Sequence, residues 1–290
     1  MGLWSAVLLG IIQGAAEFLP ISSSGHLAIF KNLFGLSDVS ISFDILLHMG
    51  TLVAVCLVYW KDIVRLIVDG IGILVDFFYN IYAWIQRKRG MDMPRRRVIT
   101  SAYRKFALLV VVSTIPTGIM GILLGDVVDV VSKTMLVPGI ALLVTGVLLM
   151  ICDLLPAGSK TPKQTGWGTG LFLGIAQGFA VLPGISRSGT TITAGVFCGL
   201  RRDFAVKYSF IMSIPAILGA MVLDGKELFT ANLAAGELAC YFVGAVVAAV
   251  VGYICIKTLL VVVRKKNFRF FAYYCFIVGA IAIVAHFVMN

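Results

Sequence analysis

The chain has 290 residues, 60% of them hydrophobic and 13% charged, about half the charged share of a soluble domain. Apolar runs recur from Leu3 to Val288, which excludes a water-soluble globule, because about 20 such residues cross a hydrocarbon core about 30 Å thick. The net charge of +10 does not indicate nucleic acid, since the basic residues sit in short loops between apolar runs, as the positive-inside rule describes.

The first element, residues 3–36, is apolar, then polar with Pro20 and Gly25, then apolar again. Neither half is long enough to span. Open backbone at membrane depth survives only where protein or water covers it, so the segment is predicted to be a re-entrant helix hairpin. No basic residue precedes Lys31, so this segment is expected to belong to the mature fold and not to a cleaved leader. A span is predicted near 41–60.

The stretch 62–86 is apolar, but Asp62, Asp69 and Asp76 recur every seven residues. Three carboxylates on one helix face are costly in lipid. The expectation is an interfacial amphipathic helix with a basic loop, together 62–103. Spans follow near 104–125 and 135–153. A second hairpin covers 167–200, and spans near 205–223, 236–259 and 270–289 complete the chain. The six cysteines (Cys56, Cys152, Cys198, Cys240, Cys255 and Cys275) lie singly in apolar runs, without disulfide or zinc spacing.

Sliding the chain by 164 positions aligns the hairpins without a gap. Leu9-Gly10-Ile11 falls on Leu173-Gly174-Ile175, Gln13-Gly14 on Gln177-Gly178, Ile21-Ser22 on Ile185-Ser186, Ser24-Gly25 on Ser188-Gly189, and Gly35-Leu36 on Gly199-Leu200. The fold class is therefore all-α and polytopic. One membrane domain, 1–290, holds two repeats, 1–155 and 165–290, each a re-entrant hairpin plus three transmembrane helices. Three spans per copy invert the second copy, and broken helices at matching positions point to a binding site between them. With the basic loops 87–97, 156–166, 201–207 and 264–269 inside, the loops 126–134 and 224–237 fall outside, and both termini are extracytoplasmic.

The copies differ where chemistry needs them to. Glu17 aligns with Val181, Ser23 with Arg187, and His26 with Thr190. Gly184, Ser186, Ser188, Gly189 and Thr191 surround Arg187. Gly permits close backbone approach, helix-start N–H groups favour an anion, and a guanidinium suits phosphate oxygens. Glu17 is an intramembrane carboxylate, a functional candidate by default, and beside phosphate it could hold a divalent cation. Gln13 shares its face one turn earlier. His26 is a candidate acid or base, and Ser22, Ser23 and Ser24 are candidate nucleophiles. Gly10, Gly14 and Gly174 are read as packing contacts, and His48 and His286 as hydrogen-bonded filler. A structural salt bridge between Glu17 and Arg187 is the plain alternative for that pair.

These motifs resemble one family. Gln13–Glu17 is similar to the (E/Q)xxxE motif of the bacterial undecaprenyl-diphosphate phosphatases, or bacitracin-resistance proteins. Pro183–Thr191 is similar to their PGxSRSxxT motif, and Phe18–His26 to their FLPxSSxGH stretch. The resemblance extends over essentially the whole chain and includes Pro116. It implies hydrolysis of a C55 polyprenyl diphosphate to the monophosphate and inorganic phosphate, recycling the carrier for cell-wall synthesis. By motif position it implies Glu17 as metal-linked acid with Mg²⁺ or Ca²⁺, Arg187 as diphosphate clamp, and Ser23 or His26 as nucleophile, with His26 otherwise the proton-transfer group. Gln13, Ser22, Ser24, Gly184, Ser186, Ser188, Gly189 and Thr191 would contact the substrate. The expected setting is the bacterial plasma membrane, with the site opening to the extracytoplasmic side. Candidate partners are the lipid substrate, membrane lipids and a second copy, with no nucleic acid. The competing reading is a polyprenyl-phosphate flippase, which needs the Arg187 clamp but not Glu17 with His26.

Overall fold

In the computed structural model, the described residues are 2–34, 41–132, 134–230, 235–264 and 267–289. Gly35, Leu36, Lys133, Lys265, Lys266 and residues 231–234, which carry the end of the first hairpin and parts of three expected loops, lie outside them. Eleven α-helices occur among the described residues. They are α1 (Leu3–Phe18), α2 (Ser23–Leu33), α3 (Ile41–Val58), α4 (Trp60–Lys88), α5 (Ala102–Val131), α6 (Leu136–Leu154), α7 (Trp167–Phe179), α8 (Arg187–Phe197), α9 (Arg202–Thr230), α10 (Ala235–Arg264) and α11 (Arg269–Met289).

Six of them, α4, α5, α6, α9, α10 and α11, are long and apolar enough to cross a bilayer. The chain is an all-helical polytopic membrane protein. Two elements differ from expectation by this measure. Helix α3, predicted as a full span, falls among the shorter apolar helices, while α4 meets the length and composition of a span. Length and composition do not register where a helix keeps its carboxylates. Here Asp62 accepts from Tyr103 at 2.6 Å and Lys207 at 2.9 Å, Asp69 accepts from Ser101 at 3.2 Å, and Asp76 accepts from Arg104 at 2.5 Å. Arg96 approaches Asp76 to 3.5 Å. Each aspartate has a partner, so the acidic stripe on α4 faces protein.

Packing crosses between the halves. Helix α1 lies along α10, α7 along α5, α3 between α9 and α10, and α6 along α11. Glycines set the first two pairs, because lipid offers no hydrophobic drive and close backbone approach supplies the contact. A Cβ on Gly10 would stand 2.6 Å from the Gly244 carbonyl oxygen, one on Gly14 2.6 Å from that of Ala248, and one on Gly174 2.2 Å from that of Ser113. Ser113 and Thr117 on α5 donate to the Gly170 and Gly174 carbonyls of α7 at 2.8 and 2.9 Å, tying helix to helix by the side-chain bonds common in membrane bundles. The main core gathers around Phe18, Phe106, Tyr208 and Phe210, all buried, with edge-to-face contacts Phe18–Phe210 and Phe106–Tyr208.

Candidate active site

Both polar segments break the helix in the same way. Helix α1 ends at Phe18, and α2 restarts at Ser23 behind the N-cap Ser22, whose hydroxyl accepts from the Gly25 N–H at 3.3 Å. Helix α7 ends at Phe179, and α8 restarts at Arg187 behind Ser186, whose hydroxyl accepts from the Gly189 N–H at 3.1 Å. Ser or Thr at this position satisfies one of the free N–H groups of the first turn. Ser23 and Arg187 are thus the first residues of their helices. Two backbone angles make the turns: Gly184 at φ +95 and Ser22 at φ 70. The second is a left-handed angle that a non-glycine residue adopts only under constraint from its surroundings, a kind of strain that gathers at functional sites.

The two tips touch. The Ser22 hydroxyl donates to the Ile185 carbonyl at 3.4 Å, and a Cβ on Gly25 would lie 2.8 Å from the Gly184 Cα. From α6, Thr145 braces the second tip, donating to the Gly184 carbonyl and accepting from the Ser186 N–H, each at 3.0 Å.

At this junction Arg187 Nη2 donates to Glu17 Oε1 in a direct ion pair. Glu17 Oε2 accepts from Ser23 Oγ at 2.5 Å and from Gln13 Nε2 at 3.1 Å. Acid, hydroxyl and guanidinium therefore converge from α1, α2 and α8 on one point, although 170 positions separate Glu17 from Arg187. Glu17 and Ser23 are buried. They form one wall of a cavity of about 310 Å³, with Ser22, Ser24, Ser186 and Arg187 beside them. Ala216, Ile217, Ala220 and Met221 of α9 and Ile45 of α3 also line it. The lining joins polar and charged side chains to an apolar stretch of α9, a combination that suits an amphiphile.

His26 is buried and is not among the residues lining this cavity. Its Nδ1 is 2.8 Å from the Ser22 carbonyl, its Nε2 is 2.9 Å from the Tyr274 hydroxyl, and the two rings stack. It braces the strained Ser22 turn against α11. Ser188 and Thr191 point into the protein: Ser188 Oγ is 3.3 Å from Ser186 Oγ, and Thr191 Oγ1 is 2.5 Å from Ser209 Oγ. His48 of α3 does line the cavity, with Asp44, Thr117 and Gln177. The sequence held a signal for the first two: Asp44 and His48 stand one helical turn apart in an otherwise apolar run, hence on one face. Tyr274 and Thr145 carried none, because their partners come from tertiary packing.

A divalent cation fits this donor set. Gln13 Oε1 is buried without a hydrogen-bond partner, and its amide sits against Glu17 Oε2. Among the described residues no group of three or more His, Cys, Asp or Glu side chains converges, so a metal here would depend on oxygens of the substrate and water, as Mg²⁺ sites commonly do.

The family model described as "Bacitracin resistance protein BacA" matches residues 6–281. An undecaprenyl-diphosphatase of Methanosphaera stadtmanae is 41% identical over 280 residues, covering 97% of this chain and 96% of its own length. One from Desulforapulum autotrophicum is 41% identical over 288 residues, covering 99% and 100%. A third, from Alkaliphilus metalliredigens, is 39% identical over 285 residues, covering 98% of each chain. With a match of this extent, and with both polar segments intact, the chain belongs to the bacitracin resistance protein BacA family.

Proposed function

We propose that the protein hydrolyses a polyprenyl diphosphate, undecaprenyl diphosphate by its relatives' names, to the monophosphate and inorganic phosphate. The observation that carries this reading is the contact of Ser23 and Arg187 with opposite oxygens of Glu17. A site that only held a lipid headgroup would need the guanidinium, but not a hydroxyl hydrogen-bonded to a carboxylate.

In the complex the Arg187 guanidinium exchanges Glu17 for diphosphate oxygens, helped by first-turn N–H groups of α8. Ser23 Oγ attacks the terminal phosphorus and its proton passes to the Glu17 carboxylate, at the Oε1 that Arg187 has vacated when Oε2 holds a cation. The anhydride P–O bond breaks, and the polyprenyl monophosphate leaves with the bridging oxygen. Water then cleaves the phosphoserine, releasing inorganic phosphate, and Ser23 regains its proton from Glu17. Mg²⁺ or Ca²⁺, held by Glu17 with Gln13, would neutralise charge on the phosphoryl oxygens. Ala216, Ile217, Ala220 and Met221 would carry the start of the isoprenoid chain. Helix α2 is positioned through His26 and Tyr274.

The two hairpins are re-entrant in this reading, and the halves are inverted repeats. The exchanged packing supports it: α1 on α10 is answered by α7 on α5, and α6 and α11 pair with each other. Helix α4 lies along the membrane surface. Asp62 to Asp76 covers about 21 Å of helix, yet Asp62, Asp69 and Asp76 all have partners within the short segment Arg96–Arg104. A helix running alongside α5 would distribute them over several turns. The cavity then faces the extracytoplasmic side of the bacterial plasma membrane, opposite the basic loops.

The test is phosphate release from undecaprenyl diphosphate by purified protein, with and without EDTA. Turnover that chelation abolishes and Mg²⁺ or Ca²⁺ restores is expected. Lipid binding without phosphate release would favour a flippase.

A further inference from the structure

His48 is the one histidine that lines the cavity among the described residues. Its side chain is about one third exposed, and its Nε2 lies 3.8 Å from Glu17 Oε2. Its Nδ1 is 2.8 Å from the Asp44 carbonyl. A carbonyl only accepts, so Nδ1 carries the hydrogen. In the neutral ring that leaves the lone pair on Nε2, directed at Glu17. A ring nitrogen fixed in this way by a backbone carbonyl is the usual arrangement of a metal-binding histidine.

The 3.8 Å separation lies within ion-pair range and within the span of two ligands of one ion. It is too long for a hydrogen bond, which ends near 3.2 Å, and short for a water bridge, which sets its two partners roughly 4.5 Å apart. Two donors each about 2.1 Å from one octahedral ion stand about 3 Å apart when adjacent and about 4 Å apart when opposite. The charge of Glu17 is met at Oε1 by Arg187, and Oε2 accepts from Ser23 and Gln13, so a cation at Oε2 takes the place of the Gln13 N–H. The second observation is Gln13. Its Oε1 is buried and without a partner, while its Nε2 donates to the same Glu17 Oε2. A half-turn of that amide brings an oxygen to Oε2, which is repulsive unless a cation stands between them.

We propose that His48 Nε2 is a direct ligand of the divalent cation, joining Glu17 Oε2 and Gln13 Oε1. The site thereby takes one nitrogen ligand in place of an all-oxygen set, which suits Mg²⁺, Mn²⁺ or a later transition ion better than Ca²⁺. This rests on the reading of Glu17 as a cation ligand.

Mn²⁺ is the probe. Purified full-length protein in detergent is loaded with Mn²⁺ alone, and pulsed EPR reads whether a ¹⁴N nucleus couples to the ion. Wild type is expected to show imidazole ¹⁴N coupling. His48→Gln is expected to lose it while still binding Mn²⁺, about tenfold or more weakly. The coupling should persist in His26→Gln and His286→Gln. His48→Asn serves as the second variant should glutamine disturb folding. Mn²⁺ binding without ¹⁴N coupling, or with coupling that survives in both His48 variants, overturns the proposal and leaves the hydrolase reading standing. Absence of Mn²⁺ binding together with EDTA-resistant phosphate release overturns the proposal and the cation role of Glu17 together.

Discussion

The α1–α2 and α7–α8 hairpins share a frame and divide the chemistry. Each breaks after a glycine-lined helix seated on a helix of the other half. Each restarts behind a serine that caps the glycine three residues on. The first then places Glu17, Ser23 and His26 where the second has Val181, Arg187 and Thr190. Positions that fix backbone geometry are alike in the two, since a Cβ at Gly10, Gly14 or Gly174 would overlap backbone. Positions whose side chains leave the frame differ. The tips are also secured differently. Thr145 makes two hydrogen bonds to the second tip. The first depends on the His26–Tyr274 contact and a long Cys275 Sγ to Pro20 carbonyl approach of 3.8 Å.

The most severe test of this division removes the cation. Arg187→Ala should lower turnover by about 10³-fold or more while the protein still inserts, and Arg187→Lys should also fail, because an ammonium cannot give a planar two-point contact. Phosphate-release kinetics on detergent-purified variants decide it; near-normal activity in the lysine variant would mean that charge alone suffices. Glu17→Val makes the first hairpin resemble the second, and Glu17→Gln keeps its shape. Both should lose about 10²–10⁴-fold in phosphate release, as expected for a proton acceptor, and Glu17→Gln should bind Mg²⁺ more weakly by calorimetry.

A finer comparison lies within the first hairpin. Ser23→Ala should lose a burst of phosphoenzyme and about 10²-fold or more in rate. His26→Gln and Tyr274→Phe should each lose about tenfold and leave the burst intact, because they act through the Ser22 turn. Loss of the burst in His26→Gln would move the nucleophile to the imidazole. The smallest effect separates the two tips. Thr145→Val removes a donor and an acceptor from buried partners and should destabilise by about 1–3 kcal/mol, visible as a lower thermal midpoint in detergent. Cys275→Ala should change it by less than about 1 kcal/mol if the 3.8 Å contact contributes little.

Much of this was legible in the sequence because it is local. Apolar length identified a membrane protein. The offset of 164 positions matched the two segments that break in the structure, each at a run of proline, glycine and serine. The contrasts Glu17/Val181 and Ser23/Arg187 marked candidate positions, because a charged side chain at membrane depth is costly and is a functional candidate by default. What tertiary structure alone decided is direction and partner. His26 and His48 both lie on largely apolar helices, and although Asp44 one turn before His48 marks a polar face, neither local pattern tells which imidazole reaches the cavity. Packing against α11 turned the first toward Tyr274, and the seating of α3 between α9 and α10 turned the second toward Glu17. Helix α4 is the same lesson at larger scale. Its composition permits a span, and only the partners gathered around Asp62, Asp69 and Asp76 reveal which face meets protein. A side chain's type is written in the chain, but the neighbour that gives it a role is set by segments far away in sequence, through contacts that exist only once the helices have packed.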